Sequence, residues 1–296
     1  MNLENLTPAM KQYLQMKQQN PDCILLFRIG DFYEVFFEDA KICASVLDLI
    51  ITSKNKNSEN PIPMAGIPHH SIEKYIPRLI AKGYKVAIAE QMTDPVPWKI
   101  VERSIKSIIT PGTYIQENQR ELSTLLAITR SSEKSGTNYH LAWWDFTIGN
   151  YQTKTLSNLE QAQKLILSLR PTEIILDSDL TNKEEIIGPI QSYLNCLVSV
   201  YGVPIDPEHT ILTVCKVQQL ASFGKALTEW RASALALLFA YIQHTQQQVL
   251  KNVNTISYHA ADGLVLMDET TVKNLEIFSS SYENSSKYTL FEILNT

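Results

Sequence analysis

Phe32 and Glu34 stand one residue apart in Gly30-Asp31-Phe32-Tyr33-Glu34. A large aromatic beside a carboxylate, at the tip of a structural junction, is well placed to touch something outside the protein. Met64-Ala65-Gly66, held between Pro63 and Pro68, is a second candidate, because small residues and a glycine let a backbone approach a phosphate or sugar closely. Arg103 and Lys106, ahead of Thr110-Pro111-Gly112, are candidate phosphate contacts, with Lys54 and Lys56 as looser ones. His69-His70 suggests a metal, but no Cys, His or Asp at ligand spacing supports it, so no metal site is expected. Asp145, ahead of Thr147-Ile148-Gly149, raises a different chemistry. A two-metal nuclease needs several carboxylates around metals about 4 Å apart. Asp177 and Asp179 follow a later apolar run, and no further set is evident. The phosphate-cradling pattern Gly-x-x-x-x-Gly-Lys-Ser/Thr occurs nowhere.

These residues need elements to position them. Ile24–Ile29 is apolar and β-rich, and reads as a strand. Asp31 is a good N-cap with Glu34 three residues on, the capping-box spacing, so a helix is expected from Asp31 to about Leu49. Val35, Phe36, Cys43, Val46, Leu47 and Ile50 would then face a core at helical spacing. An amphipathic helix is expected over 5–19, and a proline-bracketed loop over Pro61–Pro68. Ser71 should cap a helix running to Lys82, kinked or shifted by Pro77. Strands are expected at Lys85–Glu90 and Ile100–Thr110. Beyond a polar stretch over 114–123, the pattern predicts strands at Leu125–Thr129, Tyr139–Phe146, Tyr151–Thr155, Glu173–Leu176 and Leu197–Tyr201. Helices are expected at Leu159–Leu169, Lys183–Leu194 and Ala232–Val249. Strands alternating with helices argue for a mostly parallel sheet.

With 296 residues, 44% hydrophobic and 19% charged, the chain is an ordinary globular one of about two domains. No apolar run approaches the ~20 residues that span a bilayer, and residues 1–19 carry no signal-peptide pattern. Cys23, Cys43, Cys196 and Cys215 are widely spaced and read as reduced thiols of a cytoplasmic protein. The net charge of −5 argues against nucleic acid as a whole, yet its distribution does not. Residues 1–113 carry 13 Lys+Arg against 12 Asp+Glu, and residues 51–113 carry 9 against 5. Any phosphate contact should therefore come from the first part of the chain.

Three blocks carry a family resemblance: Gly30-Asp31-Phe32-Tyr33-Glu34, Pro61-Ile62-Pro63-Met64-Ala65-Gly66-Ile67-Pro68-His69-His70, and Thr110-Pro111-Gly112-Thr113. In this order and spacing they resemble bacterial MutS, the DNA mismatch-repair recognition family. Asp145-Phe146-Thr147-Ile148-Gly149, Tyr241–Gln246, Met267–Ile277 and Leu290–Leu294 extend the likeness across the chain. The resemblance implies an α/β mismatch-binding domain over 1–113, a linker over 114–123, an RNase H-like α/β connector domain over 124–250, and the start of an α-helical core over 251–296. It implies that Phe32 stacks on a mispaired base from the minor groove while Glu34 hydrogen-bonds that base. An apolar wedge kinks the duplex and unstacks a step at roughly a few kcal/mol, less where the base is already poorly stacked. The same resemblance places Met64, Ala65 and Gly66 along the backbone and minor groove, with Arg103, Lys106 and Lys54 as candidate contacts to the DNA backbone. His69 stands where the family usually has Tyr or Phe, and Ser107 where it has a later arginine. The expected partner is double-stranded DNA with mismatches or small loops. A homodimer and a MutL-type repair factor, the latter through the connector, are implied as well, and no membrane. The family's ATP and Mg²⁺ belong to an ATPase region beyond Thr296, so no cofactor and no catalytic residue is expected in this chain. Two other classes remain open: a metal-dependent nuclease centred on Asp145, and a paralogue that binds branched DNA or acts as an interaction module.

Overall fold

The computed structural model describes residues 6–54, 61–93, 100–114, 124–133, 136–145, 150–180, 183–191, 193–194, 196–220, 229–246, 256–258, 269–277, 280 and 289–294. They divide into two compact units, one of residues 1–120 with 240–251, the other of residues 121–239 with 252–296.

The first unit runs α1 (Pro8–Gln19), β1 (Cys23–Ile29), β2 (Phe32–Phe36), α2 (Phe37–Leu47), β3 (Thr52–Lys54), β4 (Ile62–Pro68), α3 (Ile72–Ile80), β5 (Lys85–Gln91) and β6 (Arg103–Ile109). The six strands form one sheet in the order β3-β4-β2-β1-β5-β6. The unbroken apolar run of β1 follows from its central place, since Cys23 to Phe27 are buried by layers on both faces. Helices α2 and α3 cover one face, where Ile24, Leu26, Tyr33, Val35, Ala65, Ile67 and Val86 meet Ala40, Cys43, Leu47, Ile76 and Leu79. Helix α1 covers part of the other, with Met10 and Tyr13 on Leu25, Phe27, Phe36 and Ala87. The buried Asp39 of α2 fastens α1 in place. Its carboxylate accepts from Lys17 Nζ at 2.9 Å, the Tyr13 hydroxyl at 3.4 Å and the Leu25 backbone N–H at 3.0 Å. A buried charge held this way is compensated rather than orphaned.

Asp31 does not cap a helix. Gly30 and Asp31 form a two-residue turn, with Ile29 paired to Phe32 and Gly30 at φ +58°, so 32–36 is a strand antiparallel to β1. The helix starts only at Phe37, whose own φ of +55° turns the chain from strand to helix, and it ends at Leu47. Ile50 therefore lies outside the helix, 88% exposed rather than in the core. Nor is 61–68 a loop. It is strand β4, paired with both β2 and β3. Pro77 lies within α3, which begins at Ile72 after a 3₁₀ turn over His69–Ser71, and Ser71 makes no side-chain cap.

The second unit contains β7 (Thr124–Glu133), β8 (Gly136–Asp145), β9 (Asn150–Leu156), α4 (Leu159–Leu169), β10 (Glu173–Asp177), α5 (Lys183–Gln191), β11 (Leu197–Tyr201) and α6 (Pro207–Cys215). It continues into α7 (Glu229–Gln246), β12 (Ile256–Tyr258), α8 (Glu269–Asn274) and α9 (Leu290–Leu294), while Ala240 onward in α7 counts with the first unit. The sheet order is β11-β10-β7-β8-β9-β12. It is mixed rather than mostly parallel: β7-β8-β9 is an antiparallel meander, flanked by parallel β10, β11 and β12. This is the α/β class expected of an RNase H-like domain. Helices α4 and α5 bury one face against Leu126, Ile128, Leu141 and Trp143. On the opposite face Tyr151 meets Phe239 edge-on and Trp144 in a stack.

Candidate functional site

The hairpin of β1 and β2 builds the site. Successive side chains of a strand alternate between faces, so Tyr33 and Val35 enter the helix-covered core while Phe32, Glu34 and Phe36 share the other face. Phe36 lies under α1. Phe32, beyond its reach and next to the turn, is 48% exposed. A helix would have set Phe32 and Glu34 on different sides; the strand sets them side by side.

Strand β4 backs this pair. Phe32 pairs with Pro68, Glu34 with Gly66 and Phe36 with Met64. A Cβ built on Gly66 would come 3.6 Å from Cδ1 of Phe32, so the ring lies over the glycine. Beyond Pro68, which has no N–H, the His69 backbone N–H donates to the Asp31 carbonyl at 2.9 Å and ties β4 to the turn. Met64 is half-buried on the same face as Gly66. Ala65 is fully buried among the helix-side residues, so its side chain faces away from Phe32 and Glu34.

Cations surround the carboxylate. Lys54, opposite Ile62 in β3, places Nζ 2.9 Å from Glu34 Oε2 and 5.0 Å from the centre of the Phe36 ring. Arg103 lies over the Phe27 ring at 5.0 Å, and Phe27 pairs with Glu34. Its Nε donates to the Arg28 carbonyl at 2.6 Å and its Nη1 to the Val101 carbonyl at 2.9 Å. Burial pushes the Arg103 guanidinium below its ordinary value, and the charge of Glu34 acts the other way. Lys106 is exposed where β6 carries a bulge, opposite the Ile88/Ala89 step.

The structure thus brings Phe32, Glu34, Gly66, Met64 and Lys54 together. It gives Arg103 to backbone carbonyls beside them, holds Lys106 at the bulge, and turns Ala65 inward. Lys56 lies outside the described residues. Sequence reasoning missed the support on the helix side of the hairpin. The Tyr33 hydroxyl donates to Glu90, and Arg28 lies over the Tyr33 ring at 5.5 Å. Burial, then the bond to Glu90, pushes the Tyr33 hydroxyl up to about 12. The signal for the hairpin was present: Gly30-Asp31 between two β-rich runs is a two-residue turn signature. Asp145 ends β8, and its side chain lies outside the described residues. Among the described residues no group of three or more His, Cys, Asp and Glu is placed to hold a metal ion. No helix among them is long and apolar enough to cross a membrane.

Comparison with known proteins divides the chain near residue 120 as well, though it gives residues 240–251 to the second part. Residues 7–118 match the family model for MutS domain I, and residues 123–254 that for MutS domain II. The DNA mismatch repair protein MutS of Lactococcus lactis subsp. cremoris (strain MG1363) is 36% identical over 294 residues, covering 99% of this chain and 33% of that protein. That of Streptococcus mutans serotype c is 32% identical over 296 residues, covering 100% and 33%. That of Streptococcus pneumoniae serotype 19F is 34% identical over 297 residues, covering 100% and 33%. The chain spans about a third of the length of the curated relatives it matches.

Proposed function

The chain belongs to the MutS family, and on that premise we propose that its first unit recognises mispaired or unpaired bases in duplex DNA, with Phe32 as the wedge and Glu34 as the partner of the displaced base. One observation carries the reading: a half-exposed aromatic ring shares a sheet face with a carboxylate two residues on, at the tip of a hairpin braced by strands on both sides. A wedge between base steps costs roughly a few kcal/mol of lost stacking. That cost is lowest where a mismatch has already weakened the stack, so the lesion is selected by its softness rather than by sequence. Met64 and Gly66 lie along the minor groove, and Lys106 meets the phosphates. Arg103 works from beneath, by holding the carbonyls of the strands that carry the pair.

On this reading the chain binds and does not catalyse, needs no cofactor of its own and works in the cytoplasm. ATP hydrolysis and homodimerisation belong to the rest of the relatives' length. A MutL-type repair factor docks on the second unit. The test is competition binding of a 30-mer duplex carrying a central G·T or an unpaired T against the matched duplex, at fixed salt. The wild-type chain should prefer the lesion, and Phe32→Ala should abolish most of that preference. Equal affinity of the wild type for all duplexes would sink the reading in favour of a general interaction module.

A further inference from the structure

A carboxylate presented to DNA poses an electrostatic problem. Duplex DNA carries a phosphate charge every ~1.7 Å of axis, and the proposed function brings Glu34 against it. Resting on the mismatch-binding reading above, we infer that Lys54 is a positioning residue for recognition: it neutralises and orients Glu34 so that the carboxylate can reach a base edge, instead of serving as a phosphate contact itself.

The geometry supports this in three ways. Lys54 Nζ lies 2.9 Å from Glu34 Oε2, in contact and on the same sheet face. The Lys54 side chain is 32% exposed and that of Glu34 18%, so neither is freely hydrated, and the pair is screened less than a surface ion pair. The Lys54 ammonium also lies 5.0 Å from the buried Phe36 ring, which holds it towards the sheet. A lysine reaching out to a phosphate would have to leave both partners. Arg103, another cation near Glu34, has Nε and Nη1 on the Arg28 and Val101 carbonyls, so among the described residues Lys54 is the cation in contact with the carboxylate.

A phosphate contact and a carboxylate partner behave differently when removed. Losing a phosphate contact weakens binding equally whatever stands at position 34, and lowers the slope of log Kobs against log salt by about 0.9. Losing a carboxylate partner leaves an unpaired negative charge facing the duplex, so the loss depends on Glu34 being charged. The experiment is a double-mutant cycle of Lys54→Met and Glu34→Gln in the 296-residue chain. Affinity for G·T, unpaired-T and matched duplexes is read by fluorescence anisotropy from 50 to 150 mM salt. Methionine keeps most of the apolar stem over Phe36.

The expected result is that Lys54→Met weakens lesion binding roughly tenfold when Glu34 is present and less than about threefold when position 34 is Gln, a coupling ordinary for contacting charges. The salt slope should stay unchanged with Glu34 present. Lys54→Arg, which restores a cation but not the lysine stem, should recover most of the affinity. An equal loss in both backgrounds with a reduced slope would overturn the inference and make Lys54 an independent phosphate contact. An unchanged affinity would overturn it as well. If the wild type prefers the lesion but shows no coupling, only this inference fails; if the wild type shows no preference at all, the mismatch-binding reading fails and takes this inference with it.

Discussion

At the scale of single residues, Arg103 shows how an ambiguous basic residue is resolved by what its donors touch. In sequence it reads as a phosphate contact, because an arginine after an acidic residue near Thr-Pro-Gly carries no sign of where its guanidinium points. In the structure it binds the carbonyls of Arg28 and Val101 and covers Phe27. Arg103→Met should therefore destabilise the first unit by about 1–3 kcal/mol through two lost charged hydrogen bonds. The decrease would be read as a lower urea midpoint with an unchanged m-value. A variant as stable as the wild type would show that these bonds contribute nothing. The candidate pair was readable only in part: Phe32 stood out by residue type at the junction, whereas the paired roles of Phe32 and Glu34 are implied by the resemblance to the MutS family. What the sequence concealed was the partner of Glu34, because the contact with Lys54 spans 20 residues and two strands.

At the scale of elements, the expected Asp31–Leu49 helix and the observed hairpin both bury Val35 and Phe36, and the turn decides between them. Asp31 and Glu34 fit a capping box, but Gly30 with φ +58° makes the turn and starts a second strand. The alternation then fixes the register. Sliding β2 by one residue would move Tyr33 and Val35 out of the core, at about 1.5–3 kcal/mol each. Gly30→Ala should cost roughly 1 kcal/mol, the usual penalty for a Cβ at left-handed φ. It should weaken lesion binding only as far as it loosens the hairpin. Equal urea midpoints for Gly30→Ala and wild type would remove the turn from this account. Helix α6 was missed for a simpler reason. Asp206-Pro207 is a plain N-terminal signal, with Asp206 accepting from the His209 N–H, but only Ile211 and Val214 of the helix are buried, too few for a clear period. The mixed sheet of the second unit was also misread, because a meander followed by β-α-β units looks the same in sequence as parallel strands throughout.

At the scale of the whole molecule, the pattern of buried thiols sets how stability depends on pH. Burial pushes Cys23 and Cys43 from 9.0 up to about 12, and Cys196 and Cys215 up to about 11. The folded chain therefore keeps protons that the unfolded chain releases near pH 9. Between those values the unfolded state binds fewer protons, so stability falls as pH rises. The slope is at most about 1.4 kcal/mol per pH unit for each of Cys23 and Cys43, with Tyr33 adding to it above pH 10. Urea midpoints should fall from pH 9 upward, and Cys23→Ala with Cys43→Ala should flatten the fall. A midpoint constant from pH 8 to 11 would contradict the burial of these groups. The thiols were legible in the sequence as reduced and unpaired; how deeply each is buried depends on the sheet order, which no local pattern encodes.

The bracing of β2 has a consequence best put mechanically. A tool that parts two stacked surfaces is only as stiff as its mount, and when tool and workpiece are pressed together the softer one bends. The Phe32 ring is carried on a strand locked to β1 on one side and β4 on the other, with Tyr33 and Val35 anchored in a close-packed interior. Such a mount yields little. On the proposed wedge reading, the strain of insertion falls on the duplex, and the protein serves as a gauge of how easily the duplex gives way.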